Sequence, residues 1–515
     1  MNVGTIPAKH ARLTPQREAV IDATTGRRAT FGELEARVRR LGHGLRDVLG
    51  LQPGDRVAVL SKNSIEFLEV YFAVGRRGLV AQPLNWRLGV AEMARIVENG
   101  APRAIVFSSE FETEAAELRR SVAVEHWLAY GGGEGSYEDL LARSHEGEDP
   151  TEAWDDDPFF ILYTGGTTGE SKGALHTHGS ATMGMLNQTV AERIVPQDVY
   201  MLTGQMFHIP MLLAMNYLAH GCPLVLMNFE ARLALDLIQR ERVSAFLGIT
   251  TMLNWMMAEP GFESFDLSSL RNIQYGGGPM PPNVVRAALD AFPCEVIQGY
   301  GQTEGATMTF LSQEDHRGAL RGDRPERLRS CGREGFVTEV RLADPDGNTV
   351  ARDGETTGEI LVRSPANMRE YWRKPELTAK TLRDGWMWTG DIATWDAESY
   401  VYIVDRAKDM IITGGENVYS VQVEAAIHKH PAVLEAAVIG VPDDEWGESV
   451  KAVVVLKPGE KATEQEIIDT ARTHLASYQK PRSVDFVEAL PKAPTGKILK
   501  RELRDPYWKD RQRSV

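Results

Sequence analysis

The sequence predicts an α/β protein: a large N-terminal domain of α/β subdomains ending in a β-barrel-like subdomain, then a small α+β domain. Three features carry this expectation. Short β-rich runs recur with helical segments between them, the alternation that builds largely parallel sheets. From about residue 334 the chain switches to apolar–polar alternation between Asp/Gly turns, the pattern of meander or barrel strands. After "DRAKDMIITGGENVYS" one short block of helices and strands closes the chain. The boundary falls near Asp405–Lys408 and divides the chain into 1–405 and 406–515.

In chain order, "DRVAVLS" (55–61) and "RAIVFSS" (103–109) read as strands, with the helix "SIEFLEVYFAVGRRG" between them. "GGGEGS" (131–136) has no strand–helix frame for a dinucleotide fingerprint and reads as a loop. "DDPFFIL" (156–162) is a short buried strand, "YTGGTTGESKG" a loop, and "HTHGSATMGMLNQTVAERI" a helix. "IPMLLAMNYLAHG" is too short to span a membrane and contains Pro210, Asn216 and His220, so it reads as a buried helix beside a site. The strands "PLVLMNF" (223–229), "VSAFLGI" (243–249), "RNIQYGG" (271–277) and "CEVIQGYG" (294–301) follow, with "PNVVRAALDAF" as a helix. Past 405 the elements are a helix near "SVQVEAAIHKH", strands at "LEAAVIG" and "VKAVVVL", and a helix at "TEQEIIDTARTHLA".

Composition bounds the function. The chain has 515 residues, 43% hydrophobic and 25% charged, with a formal net charge of −15. That balance disfavours nucleic acid, which needs a basic face. Cys222, Cys294 and Cys331 have no metal-ligand spacing and suit a reducing cytoplasm. No apolar h-region opens the chain and no apolar run approaches about 18 residues, so neither a signal peptide nor a membrane span is expected.

The loop "YTGGTTGESKG" crowds glycines and hydroxyls around a single lysine. Strand, loop and helix in that order gather backbone N–H groups and a helix N-terminus, which suits phosphate. The P-loop pattern fails, because Lys172 is followed by Gly173 and no Gly lies immediately before it. On this stretch alone, phosphate binding and a flexible surface loop fit equally. Strands ending in "YGGGPM" and "GYGQTE" bring more glycines to the carboxyl ends of strands, where open α/β sheets bind ligands.

These motifs, with "TGD", "DRAKDMIITGGENVYS" and "PKAPTGKILKRELR", occur in the order seen in the adenylate-forming superfamily, and the chain resembles its acyl- or aryl-CoA synthetases from about Thr30 to Arg504. The resemblance implies a carboxylic acid–CoA ligase that uses ATP, Mg²⁺ and coenzyme A, acts as monomer or homodimer, and has a mobile C-terminal lid hinged at Lys408. It implies that Thr164, Gly165, Gly166, Thr167, Thr168, Gly169 and Lys172 wrap the polyphosphate, and that Gly276, Gly277, Gly278 and Pro279 pass along the adenine and acyl pocket. It places Tyr300, between Gly299 and Gly301, against adenine, Thr303 at the α-phosphate and Glu304 on Mg²⁺. Asp391 and Arg406 would hold the ribose. Gly414, Gly415 and Glu416 are further cofactor-binding positions, and Lys497 is the lysine of adenylation. The chain has Gly165 where the family pattern usually has Ser, and Ser171 where it has Pro.

Amino-acid-activating relatives usually carry an Asp near "GQMFHIPML"; this stretch has none, so an acid without an α-amine is expected. The expected pocket wall is Phe207, His208, Met211, Leu212, Ile249, Thr250 and Gly276. His208 would gate the acyl site or shape the pantetheine tunnel; a packed structural histidine is the alternative. Two rival functions stay open: an adenylating enzyme that serves a carrier protein or an amine, and a nucleotide-binding regulator without catalysis.

Overall fold

A computed structural model describes residues 1–509 except 133–135, 148–150, 152, 165–170, 279, 407–408, 414–415, 444–445 and 493–497, and of residues 406 and 417 the backbone only. The chain forms two compact units, Met1–Val340 with Val362–Met387, and Arg341–Leu361 with Trp388–Val515. By compactness, therefore, the stretch between 388 and 405 goes with the C-terminal residues, and so does part of the β-rich segment.

The first unit holds two sheets. In the nine-stranded sheet the order is Arg333–Glu334, Ala306–Leu311, Glu295–Gln302, Asn272–Gly276, Ala245–Leu247, Tyr200–Leu202, Leu224–Leu226, Glu18–Asp22 and Arg28–Thr30. Every neighbour pair from Glu295–Gln302 to Glu18–Asp22 is parallel. The seven-stranded sheet runs Glu370–Tyr371, Lys172–Thr177, Pro158–Thr164, Val80–Pro83, Arg56–Leu60, Ala104–Ser108 and His126–Tyr130. It is parallel from Pro158–Thr164 to His126–Tyr130.

The largest hydrophobic cluster is built from residues of both sheets and of the helices Phe31–His43, Ile65–Arg76 and Pro210–Ala219. All twelve residues of Ile65–Arg76 are buried, charges included. Buried charge is tolerated when paired. Arg76 accordingly meets Glu35 at 2.8 Å, Arg37 meets Glu69 at 2.5 Å, and Arg27 pairs with Glu66. Among the described residues no helix is long and apolar enough to cross a membrane. Cys222, Cys294 and Cys331 form no disulfide.

One local expectation is overturned. The loop after Pro158–Thr164 does not lead into a helix. Lys172–Thr177 is a strand, antiparallel to Pro158–Thr164, with Lys172 opposite Thr164. The helix begins only at His178, capped by Thr177, whose hydroxyl accepts from Ser180 N. Six residues of strand put its N-terminus about 20 Å along the chain from Lys172. The segments on either side of residues 165–170 thus pair as antiparallel strands, and no helix starts directly after Lys172. "KGALHT" forms a strand because its central four residues are buried beside the neighbouring strands.

In the second unit Trp388–Trp395 continues a strand that pairs antiparallel with Val401–Arg406. A further sheet runs Glu416–Val418, Ile411–Thr413, Gly447–Leu456, Val433–Asp443, with Ser483–Phe486 parallel to Gly447–Leu456. Helices Ser420–Ile427 and Glu464–Arg472 contribute to the core of this sheet.

Candidate active site

In the first unit the sheet ends gather the motif residues. Gly276 lies opposite Gly299 across a parallel pair, and a Cβ on Gly276 would stand 2.1 Å from the Gly299 carbonyl oxygen. A Cβ on Gly301 would stand 1.9 Å from the Ala306 carbonyl oxygen. Backbones approach so closely here that only glycine fits. Gly277 and Gly278 are exposed just past the strand, and Tyr300 stands opposite Thr309 in the Glu295–Gln302 hairpin.

Thr303 and Glu304 occupy the turn of that hairpin, closed by Gly305 N donating to Gln302 O at 3.1 Å. Two contacts set the turn. His176 Nε2 meets the Thr303 carbonyl oxygen at 2.8 Å, and Met368 N donates to the Glu304 carbonyl oxygen at 2.6 Å. Burial lowers the His176 pKa to about 4, so the ring is neutral and Nε2 carries the proton it donates. Glu304 is 9% exposed, and Tyr371 Oη donates to its Oε1 at 2.6 Å. Lys172 Nζ lies 5.5 Å from the centroid of the Tyr371 ring. One tyrosine therefore bridges the loop lysine and the acidic residue of "GYGQTE".

Tyr371 reaches this place through the strand Glu370–Tyr371, which pairs with Leu175 and Ala174, close along the strand to Lys172. Trp372 N donates to Gly173 O at 2.7 Å and its Nε1 to Asn99 O at 3.2 Å, while Tyr163 Oη donates to Asn99 Oδ1 at 2.7 Å. Sequence reasoning missed both Tyr371 and His176. Neither sits at a motif spacing: Tyr371 is 67 residues from Glu304, and His176 is 127 from Thr303.

His208 precedes the Pro210–Ala219 helix and is half-buried. Burial first, then the neighbouring Arg87, lowers its pKa to about 4, and its Nε2 is buried without a hydrogen-bond partner. The next residue, Ile209, lines a small cavity with Gly184, Met185, Gln188, Leu212, Leu213, Ala306 and Thr307. Of the expected wall only Leu212 lines this cavity. Phe207, ahead of the helix, and Met211, on its buried face, are packed in the hydrophobic core.

In the second unit Asp391 is 3% exposed and stands opposite Arg406 in register. Its backbone N–H donates to Thr389 Oγ1 at 3.1 Å. Asp405 Oδ2 accepts from Ser420 N at 2.5 Å and Ser420 Oγ at 2.7 Å, at the start of the Ser420–Ile427 helix. Glu416 opens a strand opposite Thr413. Near the C-terminus Lys492 and Ile498 form an antiparallel bridge and Leu499 N donates to Pro491 O at 2.8 Å, framing residues 493–497. Lys500 follows, bonded to Glu424 at 2.7 Å and Ser420 Oγ at 2.5 Å. Gly165, Gly166, Thr167, Thr168, Gly169, Pro279, Lys408, Gly414, Gly415 and Lys497 lie outside the described residues, as does the Arg406 side chain.

Glycine-narrowed strand ends, and a lysine and a carboxylate that share one tyrosine, mark the class of α/β protein that binds ligands at the carboxyl ends of its strands. Within that class the assignment is specific. A model described as AMP-binding enzyme matches residues 7–372, and one described as AMP-binding enzyme C-terminal domain matches 422–497. The chain belongs to this family, in the adenylate-forming superfamily. It is 38% identical over 505 residues to a feruloyl-CoA synthase of an Amycolatopsis species, covering 98% of each chain. It is 36% identical over 513 residues to a long-chain-fatty-acid–CoA ligase of Mycobacterium tuberculosis, again covering 98% of each. A solved fatty acyl-CoA synthetase of Mycobacterium tuberculosis matches with a TM-score of 0.80 and 33% identity over 99% of both chains.

Proposed function

We propose that the chain is an AMP-forming acid–thiol ligase that converts an apolar carboxylic acid to its CoA thioester. In the first half-reaction a carboxylate oxygen attacks the α-phosphorus of ATP and pyrophosphate leaves. In the second the CoA thiol attacks the acyl carbonyl, and AMP leaves with the bonding electron pair. The observation that carries this reading is the Tyr371 bridge between Lys172 and Glu304. It sets a cation of the seven-stranded sheet and an anion of the nine-stranded sheet on one tyrosine, where phosphate charge would be matched.

The roles of individual residues are part of the proposal. Lys172 neutralises the departing pyrophosphate. Thr303 contacts the α-phosphate, and its turn is kept in place by neutral His176. Glu304 would hold Mg²⁺: a hard cation prefers carboxylate oxygen completed by substrate phosphates, and Tyr371 occupies only Oε1. Bound there, Mg²⁺ would supply charge for the phosphates. Lys497 bridges carboxylate and α-phosphate in the first half-reaction, offsetting the repulsion of two anions. Asp391 accepts the ribose hydroxyls. No acidic residue lines the cavity beside His208, which supports an acid without an ammonium group. The relatives' names point to hydroxycinnamic and long-chain fatty acids as the first acids to try. We place the enzyme in the cytoplasm.

The test is pyrophosphate release with ATP, Mg²⁺ and a panel of aromatic and aliphatic acids, with and without CoA. Release together with a CoA thioester is the expected result. Release without thioester at any CoA concentration would point to a carrier-protein or amine acceptor. No release with any acid would overturn the ligase reading.

A further inference from the structure

The cavity beside His208 is apolar on most of its wall: Met185, Ile209, Leu212, Leu213 and Ala306. Two polar residues, Gln188 and Thr307, interrupt it. Gln188, 2% exposed on the His178–Glu192 helix, lines the same space. Its Nε2 donates to Glu192 Oε1, while its Oε1 is buried without a hydrogen-bond partner. The orientation of the amide follows from the groups behind it. Glu192 is fully enclosed, and its Oε2 already accepts from Tyr217 Oη at 2.5 Å. As a carboxylate it can only accept, so the amide nitrogen of Gln188 must face it. The carbonyl oxygen is thereby left as an acceptor with nothing to accept. Burying such an oxygen without a donor is costly, and the group is completed by an ordered water or by a ligand.

The cavity adjoins the residues assigned to the acid and the phosphate. Ile209 follows His208, and Ala306 and Thr307 follow Glu304 by two and three residues. The space for the centre of a water-sized group is about 10 Å³, the scale of a single hydroxyl. We propose that this is the far end of the acyl pocket, and that Gln188 Oε1 selects acids carrying a hydroxyl donor at the end remote from the carboxylate. This rests on the ligase reading above. An apolar pocket discriminates a methylene weakly, but a buried group left unpaired rejects the analogue that lacks the donor far more strongly.

The test uses matched acids: 4-coumarate, cinnamate and 4-methoxycinnamate, and an aliphatic pair, 8-hydroxyoctanoate and octanoate. Assays are run at pH 8, where Glu192, raised to about 7 by burial, is a carboxylate. The hydroxylated member of at least one pair should lead in kcat/KM by tenfold or more, and the methoxy compound, which cannot donate, should not share the advantage. Gln188→Leu should abolish that lead and raise the rate on the unsubstituted partner. Equal rates for both members in every pair would overturn the proposal, as would a preference that survives in Gln188→Leu. Calorimetric binding of the sulfamoyl-adenosine analogues of 4-coumarate and cinnamate to the unaltered protein gives a readout that needs no turnover. Tenfold tighter binding of the hydroxylated analogue supports the assignment; equal affinity means that the cavity holds only a water. Absence of pyrophosphate release with all five acids would instead count against the ligase reading, and the binding comparison would still decide the role of Gln188.

Discussion

Glu304 and Tyr371 show how one hydrogen bond can be told apart from one metal contact. Glu304→Gln keeps the shape and an acceptor for Tyr371, but a neutral amide binds Mg²⁺ poorly. Adenylation should fall by about a hundredfold at ordinary Mg²⁺, with partial recovery as Mg²⁺ is raised. Tyr371→Phe removes only the donor to Oε1; the carboxylate stays charged, and the loss should be about tenfold with an unchanged Mg²⁺ requirement, on the scale of one charge-assisted hydrogen bond. Pyrophosphate release measured against Mg²⁺ concentration separates the two. A near-normal Glu304→Gln enzyme would remove Glu304 from the metal role. Glu192 makes a second prediction at this scale. Burial raises its pKa from 4.5 to about 7, so the folded state holds a proton that the unfolded state releases. That contribution is fully present below about pH 4.5 and is lost as pH rises through 7. Wild type should lose up to ~3 kcal/mol relative to Glu192→Gln between pH 5 and 8, and then run parallel to it. Denaturant midpoints across that range check this; parallel profiles throughout would mean that Glu192 is already ionised at pH 5.

Elements of secondary structure were legible where their periodicity was pure. The buried runs at 55–61, 103–109 and 294–301 emerge as the strands Arg56–Leu60, Ala104–Ser108 and Glu295–Gln302. "KGALHT" was not legible, because six residues beside a long helical pattern share its apolar content; only pairing with Pro158–Thr164 decides for strand. Lys172, Thr303 and Glu304 could be singled out from the order of motifs and the family they resemble. Tyr371, His176 and Gln188 could not, since each acts through tertiary contact with residues distant in the chain or through a cavity that exists only after folding. The short helix Lys500–Arg504 carries a prediction at this scale. Lys500 is the counter-charge of Glu424, whose pKa is raised by burial with Lys500 opposing the rise. Lys500→Met should cost about 3 kcal/mol, as for breaking a buried pair. Arg501, which reaches only exposed Asp505 at 2.9 Å, should cost less than about 0.5 kcal/mol as Arg501→Ala. Equal denaturant midpoints for the two variants would show that the Glu424 pair is not a structural anchor.

At the scale of the whole molecule the chemistry divides between residues far apart in sequence. Lys172, Thr303 and Glu304 belong to the first compact unit, whereas Asp391 and the segment around Lys497 belong to the second. The proposed roles imply that the two half-reactions respond differently to mutation. Lys497→Ala should lower adenylation by about a hundredfold or more. Conversion of presynthesised acyl-AMP and CoA to thioester should change little, since no second anion then approaches the phosphate. Equal losses in both steps would mean that the lysine supports the fold or CoA binding.

The bridge between Lys492 and Ile498 has a consequence for chain entropy. It ties Lys492 to Ile498 on either side of residues 493–497, and Lys500 anchors the helix that follows. Closure entropy grows only with the logarithm of length, so doubling the chain between two tied residues costs about 0.6 kcal/mol. Stability is therefore almost indifferent to the length of this segment, while the reach of its lysine is not. Five Gly/Ser residues inserted before Lys497 should leave the denaturant midpoint nearly unchanged and still slow adenylation at least tenfold, because the amine would sample a larger volume around the same anchor.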